Sequence, residues 1–265
     1  MNSIEIKQRE FKLFQKLVYD EFGISLSDKK RALVQSRLRK WVNALNLKNY
    51  KELYEYFLND KSELFLLADA ITTNVTSFFR EASQWEYLKT YLSTCKEKKL
   101  RIWSSACSSG QEPYTVAIFL KENLNDFKSW DIKILATDLS NDILMKAIKG
   151  VYSDKEIEGL TKTQLQKYFE KSGTNYIVKQ EIKDMIIFKS FNLVTGNYSI
   201  FKNKFNLILC RNVMIYFDKK TQLDVINNLN KLLNKGNLLL LGHSESITNR
   251  VASLKGASSS IYIKE

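Results

Sequence analysis

From about residue 98 onward, short apolar runs alternate with amphipathic stretches, and this alternation limits the possible folds more than any other feature of the chain. Leu100 to Ser105 reads as a strand that runs into a loop of small residues, ACSSG at 106–110. Glu112-Pro113 then opens a helix reaching about Leu124. Pro113, the sole proline, stands in the first turn, where its missing N–H is not needed. Ile132 to Ala136 is a second strand, closed by Thr137-Asp138, and Asn141 to Ile148 is the next helix. Ile186 to Phe188, Phe205 to Leu209 and Leu238 to Leu241 read as further buried strands. The pattern predicts an α/β fold, a parallel sheet with helices on both faces. Residues 151–190 break it: Thr161 to Phe169 reads as helical, Tyr176 to Val178 and Ile186 to Phe188 as extended. An insertion with a small antiparallel piece is expected there. The alternation SIYIK at 260–264 leaves open whether Ser258 to Glu265 forms an edge strand.

Residues 4–70 read as an all-α domain. Phe11, Phe14, Leu17 and Val18 recur at helical spacing. Ser27-Asp28 opens a second helix, on which Val34, Leu38, Trp41, Val42 and Leu45 form one stripe. Lys29, Arg37 and Lys40 gather on a flank of that stripe. They form either a solvated face or a contact for an acidic partner. A third helix carries Leu53, Tyr54, Phe57 and Leu58, and Leu64 to Ala70 starts a fourth. No glycine lies between Gly23 and Gly110 to interrupt these helices. The expected boundaries are 1–70 for the helical domain, 71–97 for a linker and 98–265 for the α/β domain.

The 265 residues are 44% hydrophobic and 26% charged, a globular profile long enough to need no disulfide or metal staple. Cys95, Cys107 and Cys210 are widely spaced and include no Cys-x-x-Cys pair. They are expected to be reduced thiols in a cytoplasmic protein, with no zinc or other metal site. The N-terminus lacks a signal-peptide apolar core, and no apolar run approaches the roughly 18 residues that suggest a membrane span. The net charge of +12 suits nucleic acid, an anionic membrane or an acidic protein, and equally a lysine-rich composition. Charge alone does not choose among them.

Three features fall where an open α/β sheet binds ligands, beyond the carboxyl ends of its strands. The small-residue loop 104–110 lets a ligand approach the backbone. Asp138 at the end of the second strand is either a helix cap or a hydrogen-bond acceptor for both ribose hydroxyls of an adenosine. Arg211-Asn212 ends the strand that begins at Phe205. The loop lacks a G-x-G-x-x-G pattern, so the ligand expected is an adenosine without pyrophosphate, which S-adenosylmethionine (SAM) fits.

Five segments carry a resemblance: ITTNVTSFFRE at 71–81, RIWSSACSSGQEPY at 101–114, ILATDLS at 134–140, CRNVMIYFD at 210–218 and LGHSES at 241–246. In this order the chain resembles the CheR-type chemotaxis receptor methyltransferases over nearly its whole length. The resemblance implies a helical domain, a linker that closes on the cofactor, and a class I methyltransferase domain with an inserted β-subdomain. It implies SAM as cofactor and assigns Asn74, Thr76 and Arg80 to the closing segment. Glu112 matches the acid near the cofactor's amino group and Asp138 the ribose ligand. Asn192 and Leu193 match the pair flanking the adenine, and Arg211 and Asn212 the pair beneath the methionine. Tyr216 matches a tyrosine of the methyl-transfer site, and with Arg80 it is the expected catalytic residue. The implied partners are cytoplasmic helices of methyl-accepting chemotaxis receptors, with no nucleic acid and no membrane insertion, and the chain is expected to act as a monomer. Two departures stand out. Gln111 replaces an acid, and the loop between Phe169 and Val178 looks shorter than in enteric members, where the subdomain grips a receptor tail.

A glutamate acceptor is already ionised at neutral pH, so methyl transfer to it needs no general base. Positioning and exclusion of water then carry catalysis, and proximity alone contributes on the order of 7–11 kcal/mol. Tyr216 either orients the acceptor by a hydrogen bond or packs under the cofactor. The lone His243 is given no role. The motifs of DNA-methylating enzymes are missing: NVMIY stands at 212–216 in place of an Asn-Pro-Pro-Tyr, and no Pro-Cys pair exists. An inactive cofactor-binding signalling scaffold remains the alternative because of Gln111.

Overall fold

The computed structural model describes residues 4–59, 61–73, 75–95, 98–247 and 251–265. Four helices open the chain: α1 (Gln8–Phe22), α2 (Arg31–Ala44), α3 (Tyr50–Asn59) and α4 (Lys61–Ile71). Phe11, Phe14, Val18, Val34, Leu38, Leu53, Phe57 and Leu67 are buried together, so the stripes read from helical spacing close on one another. Lys29 belongs to a 3-10 turn, Asp28–Lys30, ahead of α2 and not to the helix itself. Residues 72, 73 and 75–81 belong to the segment that crosses to α5 (Ala82–Thr94).

The α/β part comprises β1 (Lys99–Ser104), α6 (Gln111–Asn123), β2 (Asp131–Asp138), α7 (Asn141–Lys149), β3 (Val151–Ser153), α8 (Lys162–Tyr168), β4 (Phe169–Ser172), β5 (Asn175–Val178), α9 (Gln180–Lys183), β6 (Ile186–Ser190), β7 (Phe205–Cys210), α10 (Lys219–Lys231), β8 (Leu233–Leu241), β9 (Leu254–Ser258) and β10 (Ile261–Lys264). The main sheet runs β6-β2-β1-β7-β8-β10-β9. Its first five strands are parallel, and β10 and β9 pair antiparallel. Both faces are covered. Leu207, Leu209, Leu238 and Leu240 join the core on one face, and Ile208, Cys210, Leu239 and Leu241 join that on the other. Double burial explains why these strands read as unbroken apolar runs. Trp103, fully buried, packs among Phe191, Phe201 and Phe205 and donates its indole N–H to Thr137 Oγ1 at 2.9 Å.

The expected antiparallel insertion is a three-stranded sheet, β3-β5-β4. The stretch from Phe169 to Val178 is therefore a hairpin. β6 lies outside it as an edge strand of the main sheet, and its residues are mostly exposed, which corrects the expectation of a buried strand. The C-terminal stretch also differs from a simple edge: β10 lies between β8 and β9, and β9 takes the edge.

The helical domain docks on the α/β domain at the end of α1. Gly23 adopts φ 69°, and a Cβ there would lie 2.7 Å from Val194 Cγ2 and 2.9 Å from Thr221 Cγ2. Beyond it Ile24 forms a β-bridge with Phe217, and the Ser25 N–H donates to Tyr216 O at 2.8 Å. A second close approach occurs at Gly159, where a Cβ would fall 2.1 Å from Phe78 O. It lets the insertion press on the crossing segment, whose Phe78 stacks edge-on with Tyr152 and Phe169.

Replacing Gly23 by Ala adds both left-handed strain and this clash, so the loss of stability should be about 2 kcal/mol or more. Gly173 also has positive φ (58°) but, among the described residues, no atom within 4 Å of an added Cβ. Gly173→Ala therefore isolates the backbone contribution, and urea unfolding should show the smaller loss for it. Equal losses would mean that the contact with Val194 and Thr221 carries no weight.

Candidate active site

β1 leads to β2 on one side of the sheet, while β7 lies on the other, so a crevice opens beyond the carboxyl ends of these strands. It is a cleft open to solvent. Thr76, Arg80, Glu112, Asp138, Asn192, Leu193, Arg211, Asn212 and Tyr216 all line it. Residues expected to act together from distant segments thus face one space. Asn74 lies outside the described residues.

At the β2 end, Asp138 accepts from the Ser108 N–H at 2.7 Å and from the Ser140 N–H at 3.2 Å. Burial raises its carboxyl above the usual range against the pull of these amides. Ser108 has φ 48°, and its buried Oγ has no hydrogen-bond partner among the described residues. Phe22, Ile24, Leu139, Phe191 and Leu193 supply apolar lining. Carboxylate, spare hydroxyl and apolar slot together fit a ribose joined to a flat base. Asn192 is committed to the backbone: its Oδ1 accepts from the Val194 N–H at 2.8 Å, and its Nδ2 donates to Glu21 O at 2.8 Å.

At the β7 end, the Arg211 side chain is 2% exposed. Its Nη1 donates to Glu112 at 3.1 Å, and its Nη2 to Glu81 at 3.1 Å and to Arg80 O at 2.5 Å. Glu112 also accepts from Ser104 Oγ at 2.7 Å. Burial pushes the Glu112 carboxyl up, opposed by Arg211 and Ser104. Glu81 goes the other way. Burial would raise it, but the His243 amide and Arg211 outweigh burial and hold it below its ordinary value. Asn212 sits at φ 59°, and its N–H is held by Glu245 at 2.8 Å. Glu245 also accepts from the N–H groups of Gly242 at 2.7 Å and Ile215 at 3.3 Å. The LGHSES segment thus anchors the loop that carries Tyr216.

Over the cleft, Arg80 Nη1 donates to Val75 O at 2.9 Å. The Tyr216 hydroxyl accepts from the Thr73 N–H and donates to Thr73 O, both at 2.9 Å. Its single proton is thereby engaged with the crossing segment. Gln111, the departure from the family pattern, is buried, and its side chain accepts from Ser109 Oγ at 2.8 Å.

The basic flank needs one correction. Arg37 donates to Ala70 O, Ile71 O and Thr72 O at 2.6–3.1 Å and to Thr73 Oγ1 at 2.9 Å. It caps the carboxyl end of α4, whose last carbonyls have no helical partners. Lys29 and Lys40 are exposed, and Lys40 Nζ lies 3.9 Å from the Trp41 ring centre. The sequence reading missed Glu81, Ser108, Glu245 and Asp69. Asp69 on α4 lines the cleft and accepts from Ser140 Oγ. Glu81, Ser108 and Glu245 stood inside the recognised motifs. Asp69 had no local signal.

Residues 74–263 match the CheR methyltransferase SAM binding domain, and residues 9–72 match the CheR methyltransferase all-alpha domain. The chemotaxis protein methyltransferase of Borreliella burgdorferi is 41% identical over 258 residues, covering 92% of this chain and 90% of its own. That of Salmonella typhimurium is 35% identical over 268 residues, covering 98% and 91%. That of Escherichia coli is 33% identical over 254 residues, covering 93% and 87%. The chain belongs to the CheR methyltransferase family, with an all-α domain ahead of a SAM-binding catalytic domain.

Proposed function

We propose that this protein methylates glutamate side chains on the cytoplasmic helices of methyl-accepting chemotaxis receptors, forming glutamate methyl esters for sensory adaptation. It would do so in the cytoplasm, as a monomer. The observation that carries this reading is the polarity of the cleft. The carboxylates of Asp69, Glu112 and Asp138 line it, whereas the Arg80 guanidinium is tied to the exposed Val75 at its rim, and Tyr216 lines the same cleft. An anionic acceptor suits that rim.

SAM, when bound, supplies a methyl group already activated on a sulfonium. In this reading Asp138 holds the ribose hydroxyls, Glu112 the amino group, Asn192 and Leu193 flank the adenine, and Arg211 and Asn212 lie beneath the methionine. Thr76 and Arg80, with Asn74 by family match, close the segment above. The acceptor carboxylate arrives ionised, so these residues bind, orient and exclude water, and none removes a proton. Arg80 attracts the acceptor. Tyr216 straps the crossing segment through Thr73, and a hydrogen bond from its hydroxyl to the acceptor requires that strap to open. Lys29 and Lys40 steer acidic receptor helices, while Arg37 serves the fold. The main surviving support for a scaffold reading, Gln111, concerns a side chain turned to Ser109.

Receptor-containing membranes incubated with methyl-labelled SAM should acquire base-labile label. Replacing the acceptor glutamates by alanine should abolish it, and label that persists would refute glutamate esterification. Calorimetry should show Asp138→Ala binding SAM about 1.5–3 kcal/mol more weakly, the loss of charge-assisted hydrogen bonds. Unchanged affinity would remove Asp138 from the site. A Lys29→Glu/Lys40→Glu variant should methylate receptor about fivefold more slowly at low salt, because exposed charges act chiefly on encounter. The gap should close as the Debye length falls from about 10 Å at 0.1 M to about 3 Å at 1 M. A variant as fast as wild type at low salt would place recognition elsewhere.

A further inference from the structure

Glu81 ends the crossing segment and stands at the N-cap of α5, at φ 61° and ψ 64°. That conformation is unfavourable for any residue with a Cβ and persists where the surroundings impose it. The side chain does not cap the helix. It turns inward instead, 10% exposed, and takes Arg211 Nη2 at 3.1 Å and Nε at 3.4 Å, Asn212 Nδ2 at 3.4 Å and the His243 N–H at 3.0 Å. Glu112 takes the remaining fork of the same guanidinium at 3.1 Å. One buried cation therefore serves two buried carboxylates. With His243 Nε2 also 3.9 Å from Glu81 and charged only if protonated, the cluster holds two carboxylates against one permanent cation, in a chain whose net charge is +12.

We propose that Glu81 is a positioning residue that sets the ligand-charge preference of the cleft. By drawing Arg211 partly off Glu112, it leaves negative charge facing the ligand and favours SAM, with its sulfonium cation, over the product S-adenosylhomocysteine, whose sulfur is uncharged.

Two observations support this beyond the contacts themselves. Burial is what chiefly raises the Glu112 carboxyl, and the charge of Glu81 adds a smaller push in the same direction against the pull of Arg211 and Ser104. Glu112 and Arg211 line the cleft, and Glu81 reaches it through Arg211. The other charged groups at the cleft lie apart from this cluster in their bonding. Arg80 is tied to Val75 O at the rim, and Asp69 and Asp138 are tied to Ser140.

Calorimetric titration of wild type, Glu81→Gln and Glu81→Asp with each of the two ligands, at fixed pH and ionic strength, tests this. Thermal melting checks that each variant is folded. Glu81→Gln should weaken SAM about tenfold and the uncharged product by less than about threefold, the direction expected when one nearby charge is removed. Glu81→Asp keeps the charge on a shorter arm, so both affinities should fall while their ratio stays within about twofold of wild type. Equal weakening of both ligands in Glu81→Gln would reduce Glu81 to a packing role and overturn the proposal. A ratio shifted in Glu81→Asp by clearly more than about twofold from wild type would overturn it too, and that comparison holds even if the Gln variant does not fold. The titration needs no methyl acceptor, so its result stands apart from the receptor-glutamate reading.

Discussion

A guanidinium removed from water must be neutralised where it sits, and Arg211 is nearly inaccessible. Leaving such a charge unpaired costs several kcal/mol. The solution draws one partner from α6, Glu112, and two from the crossing segment, Glu81 and Arg80 O. Because Arg211 directly follows β7, satisfying its charge brings the segment that leaves the helical domain down onto the carboxyl edge of the sheet. The cleft therefore has a roof as well as a floor.

The helical domain contributes more than a tether. Phe22, Ile24, Ala68, Asp69 and Thr72 reach the cleft from α1, α4 and their flanks. The Tyr216–Thr73 pair and the Tyr19–Asp218 hydrogen bond at 2.9 Å join the domains on either side of it. Arg37 completes the arrangement by capping α4 where the crossing segment departs, so the geometry above the cleft begins on the second helix. Residues of both domains thus line the space in which a ligand would bind.

Much of the site was legible because motifs keep local backbone roles. Asp138 follows a strand whose carboxyl end must face the crevice, and the small residues of 104–110 admit a close backbone approach. Both follow from short-range pattern. Arg37 shows the limit. The stripe on α2 placed it correctly on a flank, but the carbonyls that claim it lie 33 to 35 residues away. Glu81 would be read locally as an acid at the start of a helix, favourable to the helix dipole. Its actual partner is 130 residues distant. β6 was misjudged for a related reason: its apolar residues look buried until the sheet order makes it an edge.

The sequence by itself determined many of the elements and their order, though not α5, α10 or β9: four helices with closing stripes, most of the strands apolar on both faces, a loop that admits a ligand, and the motif residues that line one cleft. These depend on residue spacing and backbone sterics, which act over a few residues. Only the tertiary structure decided how the charges pair. It committed the Tyr216 proton to Thr73, took Arg37 out of the basic flank, and set Glu81 and Glu112 against one guanidinium. Ion pairs and hydrogen bonds act across space without regard to chain distance, and burial decides which of them must be made.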